Sequence, residues 1–283
     1  MKSYITIVVL LFASVIASAQ DDLLNELEQD SKEQKFEQPA FKAMKIGNLQ
    51  STKIAAKGDL YLYVSHRFGS LEDGLSTFFG FDNANTKIQL VYGLFDGVQV
   101  GVSRESVRKT YAMSAKAKIK SQSDDFPVNL VVYGTANINS ELRKDRYPFL
   151  KFGDRLSYAS QLLISRRITN SLSLELAPTF VRQNLVLEPF QDHNQIALGA
   201  GGRLKLSKRM SLNLDYVYNF NRHEDSIYKN PLTVGVDIET GGHIFQLLFS
   251  NAQSTNEPGF ISNAEGDWTK GDVFFGFNIV RVF

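Results

Sequence analysis

The chain has 283 residues, with 31 Lys and Arg against 30 Asp and Glu and a formal net charge of +1 at pH 7. That balance removes the electrostatic case for a nucleic-acid partner. Cysteine is absent, which excludes a disulfide framework and a lipid-modified cysteine.

In chain order, Lys2 is followed by an apolar run from Ile5 to Ile16 and then by Ala17-Ser18-Ala19 and Gln20. A basic start, a short apolar core and a small-x-small site predict a secretory signal peptide over residues 1–19, cleaved after Ala19. The run is too short for a helix crossing about 30 Å of hydrocarbon. No later window reaches the length of a spanning apolar helix, and mean hydropathy is −0.17. Residues 20–57 open acidic and polar, with Leu23, Leu24 and Leu27 at helical spacing. They read as a periplasmic lead-in, partly helical or disordered, that could dock a periplasmic partner.

From near Gly58 alternation with period two takes over. LYLYVSHRF (60–68) and TKIQLVYGL (86–94) come first, then GVQVGVS (97–103), TYAMSAKAKIK (110–120) and VNLVVYGTAN (128–137). RLSYASQLLISRR (155–167), SLSLELAPTFVR (171–182), QIALGAGGRLKL (195–206) and MSLNLDYVYNF (210–220) follow. LTVGVDIE (232–239), HIFQLLFSN (243–251) and DVFFGFNIVRVF (272–283) complete about twelve strands, most near the length that crosses a bilayer when tilted. The predicted class is all-β: one antiparallel up-and-down transmembrane β-barrel over residues 58–283.

Three patterns support a membrane rather than a secreted barrel. Short connections (for example residues 169–170, 207–209 and 240–242) alternate with long ones (69–85, 138–154, 252–271), with one weak exception each way. On the apolar parity the charges are Arg166, Arg182 and Arg281, each near a strand end where snorkelling costs little. Tyr111, Tyr158, Phe180, Tyr218 and Phe220 gather toward the long-loop ends, with Tyr92 and Phe283 toward the short-turn ends, as two aromatic girdles. Phe275, Phe277, Ile279 and the terminal Phe283 read as a β-signal for a barrel-assembly machinery, with Arg281 a departure from an all-apolar pattern. Outer-membrane lipid is then the surrounding partner.

The stretch AFKAMKIGNLQSTKIAAKGDLYLYVSHRFG (40–69) and the closing GDWTKGDVFFGFNIVRVF (266–283) resemble the two ends of a family of outer-membrane β-barrel proteins of unknown function from Gram-negative bacteria. The resemblance implies architecture and location, and no activity.

Little catalytic or metal chemistry is readable, and neither cofactor nor metal is expected. Asp192-His193 and His223-Glu224-Asp225 could meet at the outer rim, but a hydrated acidic loop is the preferred reading. Ser65 and His66 are adjacent in a strand, so they point to opposite faces and cannot act as nucleophile and base. Arg67 is expected to face inward near the rim, paired with a carboxylate. The remaining clue is the set of inward charges: Lys116, Lys118, Lys120, Arg203 and Lys205 against Glu175, Asp215, Asp237 and Glu239. These could line a water-filled pore as facing arcs, or pair with one another and plug the lumen. Gly199, Gly201 and Gly235 on the inward face leave space or let side chains cross it. The leading functional expectation is a narrow channel for small solutes. A structural or partner-binding barrel comes second, and a lipid-modifying enzyme is a distant third.

Overall fold

The chain divides into Met1–Gln38 and Pro39–Phe283, and the structure, a computed structural model, describes residues 39–283. The expectations for the signal peptide and for residues 20–38 lie outside the described residues.

Twelve antiparallel strands close into one barrel. They are Leu60–Ser70 (β1), Ala84–Phe95 (β2), Val98–Glu105 (β3), Thr110–Lys120 (β4), Asn129–Asn139 (β5), Leu156–Arg167 (β6), Leu172–Gln183 (β7), Asn194–Lys205 (β8), Met210–Asn219 (β9), Leu232–Thr240 (β10), His243–Ser250 (β11) and Phe274–Val282 (β12). Each strand pairs with its neighbours in sequence, and β12 returns to β1 with Tyr61 opposite Val282 and His66 opposite Phe277. Closure leaves no edge strand, so the ladder groups can pair around the barrel without water. The seam runs to the last residue: Phe283 N–H donates to Leu60 O at 2.9 Å. This pairing is the local reason for an aromatic alternation that does not fray.

The alternation sorts the side chains as predicted. On β7, Leu174, Leu176 and Phe180 are exposed while Ser173, Glu175, Ala177, Thr179 and Val181 are buried. Ile88, Leu90 and Tyr92 on β2 and Tyr111 and Met113 on β4 also face out. Arg166, Arg182 and Arg281 are exposed near strand ends, and Arg281 lies over the Phe283 ring, 4.7 Å from its centroid. Pro178 has no N–H to donate, and the β6–β7 ladder lapses between the Gln161–Thr179 and Ile164–Leu176 pairs.

Two-residue turns follow β2 and β10, with Gly97 (φ 79°) and Gly242 (φ 93°) in the left-handed region that such hairpins need. Longer loops leave the other end. The longest joins β11 to β12 and contains the one α-helix among the described residues, Glu257–Ser262 (α1). Asn256 caps it by accepting from Gly259 N–H at 2.8 Å.

Candidate functional site

The barrel is filled. Residues 40–51, expected to belong to a periplasmic lead-in, instead lie inside the wall and are buried except for Lys42, with Phe41, Ile46, Leu49 and Ser51 at 2% exposure or less. Sequence pattern could not show this, because a chain packed inside a half-polar lumen carries the same mixture of residues as a solvated tail. The segment folds back on itself. Ile46 N–H donates to Leu49 O and Ser51 N–H to Met44 O, both at 2.9 Å, with Lys45 bridged to Gln50. Gly47 and Asn48 form the tip.

The tip fits because the wall makes room. A Cβ on Gly47 would stand 2.7 Å from Asp215 Oδ2. A Cβ on Gly199 or Gly201 would meet the Leu49 side chain at 2.9 Å or that of Ile46 at 2.6 Å. The two wall glycines are therefore sockets for plug side chains. Leu49 and Ile46 pack with Val131, Leu163, Ala177, Val181, Ala197 and Val217. Burying each of the two contributes roughly 1.5–3 kcal/mol, more than a typical single hydrogen bond. Gly235 has a different role: its Cβ position lies 2.8 Å from Leu247 O on the neighbouring strand.

The inward charges hold the plug's main chain. Lys116, 1% exposed, donates Nζ–H to Ser51 O at 2.9 Å, Lys53 O at 3.2 Å and Met44 O at 3.4 Å. Glu175 Oε2 accepts from Thr52 N–H at 2.9 Å, and Asp215 Oδ2 from Asn48 N–H at 3.0 Å. Gln246 Nε2–H reaches Lys45 O and Ile46 O at 3.1 Å and Asp237 Oδ1 at 2.8 Å. Neither sequence alternative describes this arrangement. The facing arcs do not border open water, and most of the charges do not pair with one another. The exception is Arg203, whose Nη2 lies 2.6 Å from Glu239, which also takes Lys42 Nζ at 2.6 Å. Lys118 and Lys120 are exposed beside a bulge near the short-turn end, and Lys205 is half-buried there, so these three do not touch the plug. Lys120 instead lies over the Phe126 ring at 4.7 Å.

Arg67 also departs from expectation. It faces inward with 0% exposure, but its partners are amides and carbonyls. Nη2 donates to Asn48 Oδ1 at 2.8 Å and Nη1 to Asn278 Oδ1 at 3.0 Å, so it ties the plug tip to the β1–β12 seam. Gly276 accommodates it, since a Cβ there would stand 2.5 Å from Arg67 Cδ. Ser65 is buried inward while His66 faces out, bonded to Thr86 Oγ1 at 2.9 Å and stacked near Phe277. At the rim, His193 Nδ1 bonds Gln183 O at 2.8 Å and His223 stacks on Phe190. Among the described residues, no group of three metal-capable side chains comes together.

From the long-loop end a second segment enters. Residues 251–264 turn into the lumen, and Phe260 and Ile261 of α1 are buried in the same cluster as Leu49. Glu105 on β3 clamps this lid. Its carboxylate accepts from Thr255 N–H at 2.7 Å, Asn256 Nδ2 at 2.6 Å and Asn85 Nδ2 at 2.7 Å. Arg222, in the β9–β10 loop, donates to Ser262 O at 2.7 Å and Ile261 O at 2.8 Å, satisfying the helix's last carbonyls. Burial lowers the Arg222 guanidinium to about 10, so it remains charged at neutral pH. Plug and lid meet in mid-lumen, where Lys45 Nζ donates to Thr255 O at 2.9 Å and Gln50 Nε2 to Glu257 Oε1 at 2.7 Å. The sequence does carry a signal for the lid: Asn256, then Pro258, inside a long loop is a helix start.

Twelve strands with a lipid-facing exterior and a filled interior define a membrane β-barrel protein. Residues 41–283 match the family described as "Membrane bound beta barrel domain (DUF5777)", and the chain belongs to that family. No curated protein matches the chain. Among solved structures, the COG4313 outer membrane channel from Pseudomonas putida F1 is similar at 13% identity and TM-score 0.51, covering 82% of this chain and 98% of that one. The KdgM porin (11% identity, TM-score 0.48, 79% and 99% covered) and the NanC porin (10%, 0.49, 79% and 98%) are also similar. At such identity the likeness is one of fold.

Proposed function

We propose that this protein is an outer-membrane conduit for small solutes whose resting state is closed by the plug and the lid. The long-loop end faces the exterior and the short-turn end the periplasm, in keeping with the usual loop asymmetry of such barrels. Residues 1–19 direct export, and Phe283 serves assembly into the membrane. The observation that carries the reading is how the plug is held. Lys116, Glu175 and Asp215 grip its backbone, not specific plug side chains. If the segment withdraws, the same groups are left lining a polar passage, where fixed charges select among solutes. A permanently filled barrel is the second reading, favoured by the apolar cluster around Ile46 and Leu49.

The absence of native cysteine makes a direct test possible. Thr52, at the stem of the plug, and Ser165 on the β6 wall already bring their hydroxyls together, Oγ1 to Oγ at 2.5 Å, so sulfurs in their place stand within disulfide reach. In planar bilayers, the doubly substituted Thr52→Cys, Ser165→Cys protein is expected to show openings under reducing conditions and none after oxidation. Identical records in both states would reject a movable plug.

A further inference from the structure

Above the lid, at the long-loop end, lies a polar cavity of about 90 Å³ that no part of the conduit reading requires. Its floor is the lid itself, through Asn256 and Asn263, and its walls include Asn139, Gln183, Arg108 and Arg155. Both arginines are half-buried. Neither forms an ion pair with a described carboxylate, and the one hydrogen bond from either side chain is Arg108 Nη1 to Asn263 Oδ1, long at 3.4 Å. Two acids also line the cavity. Asp154 is engaged by Lys151 N–H at 2.7 Å, and Glu265 is exposed. Neither acid pairs with an arginine, so both guanidinium forks face the cavity without a carboxylate partner.

The backbone supplies an independent observation. Arg108 (φ 53°) and Lys109 (φ 46°) sit side by side in the left-handed region, at the tight connection between β3 and β4. Two successive left-handed residues make a hairpin turn that ordinarily calls for Asn-Gly or Asp-Gly. Here the position is given to a long cation, and strain of this kind concentrates where a side chain must be presented. A second cavity of about 270 Å³ adjoins and shares Arg108, Asn139, Gln183 and Asn263.

We infer that this vestibule is a binding site for a small organic anion, clasped by Arg108 and Arg155 over an amide floor. The first cavity has room on the order of six waters, which suits a single carboxylate- or phosphate-bearing group, and the adjoining space takes the remainder of the molecule. Guanidinium forks match both groups bidentately. The inference deepens the conduit reading and rests on it only for its purpose, since a bound anion would touch Asn256 and Asn263 of the lid.

Isothermal titration of the full folded protein in detergent, with sodium gluconate, inorganic phosphate and sorbitol as probes, tests it. One or both anions bind, sorbitol does not, and Arg108→Asn or Arg155→Gln each weakens binding about tenfold or more without moving the thermal transition. Asn is chosen at position 108 because it tolerates the left-handed backbone. If that variant unfolds, Arg155→Gln alone decides the matter. Preference for gluconate or for phosphate identifies the group. Failure of both anions, equal binding of sorbitol, or unchanged affinity in the folded variants overturns the site. Anion binding by a protein that never conducts would leave the site standing and remove the conduit.

Discussion

Parity decides the fate of single residues in this barrel. Leu176 is 50% exposed near the middle of β7, and its neighbour Glu175 is buried against the plug. Replacing Leu176 with Arg puts a charge near the hydrocarbon midplane and should cost about 2–4 kcal/mol, measured by reversible urea unfolding in lipid bilayers. The native Arg166 occupies the same face near a strand end, where the cost is about 0–1 kcal/mol. A Leu176→Arg protein as stable as the parent would remove the lipid-facing assignment. Such outward positions were legible because period-two alternation fixes the face of every residue once one is known. The partners of inward residues were not. Parity places Lys116 and Asp215 in the lumen but cannot say that a returning segment of the same chain supplies their partners. Arg67 shows this most directly: its inward direction was readable, its amide partners were not.

At the level of elements, plug and lid are held differently. The plug is seated by Ile46 and Leu49 in glycine sockets and gripped through its backbone. The lid shares the apolar cluster through Phe260 and Ile261, and its start is fixed by charge-assisted contacts, chief among them Glu105. Glu105→Ala leaves Thr255 N–H, Asn256 Nδ2 and Asn85 Nδ2 without that acceptor inside the wall. Amide exchange at Thr255 should then speed about tenfold or more, since a hydrogen bond to a charged group contributes roughly 1.5–3 kcal/mol. Exchange in β7 should stay unchanged. No change at Thr255 would show that other contacts fix the lid. Strands and turns were readable because each carries its own local period or glycine. The plug carries no period, and its Gly47-Asn48 marks a turn without saying that the hairpin of residues 45–50 packs inside the wall. The lid helix, six residues long, is too short for a period and was betrayed only by its cap.

At the largest scale, residues 39–283 form a wall that the sequence announces and an interior that it conceals. The described part places both closing segments on one chain, one before β1 and one between β11 and β12, meeting through Lys45, Gln50, Thr255 and Glu257. The central claim is that these two segments, and not a narrow wall, keep the lumen shut. Planar-bilayer conductance tests it most directly, on the parent chain and on a barrel lacking residues 39–56 with residues 252–264 replaced by a short glycine-serine link. Both are first checked for the heat-resistant folded form. The account predicts near-zero basal conductance for the parent and stable stepwise conductance for the emptied barrel, shifting toward cations when Lys116 is changed to Gln. A folded but silent emptied barrel, or a parent that conducts as freely as it does, would contradict the account.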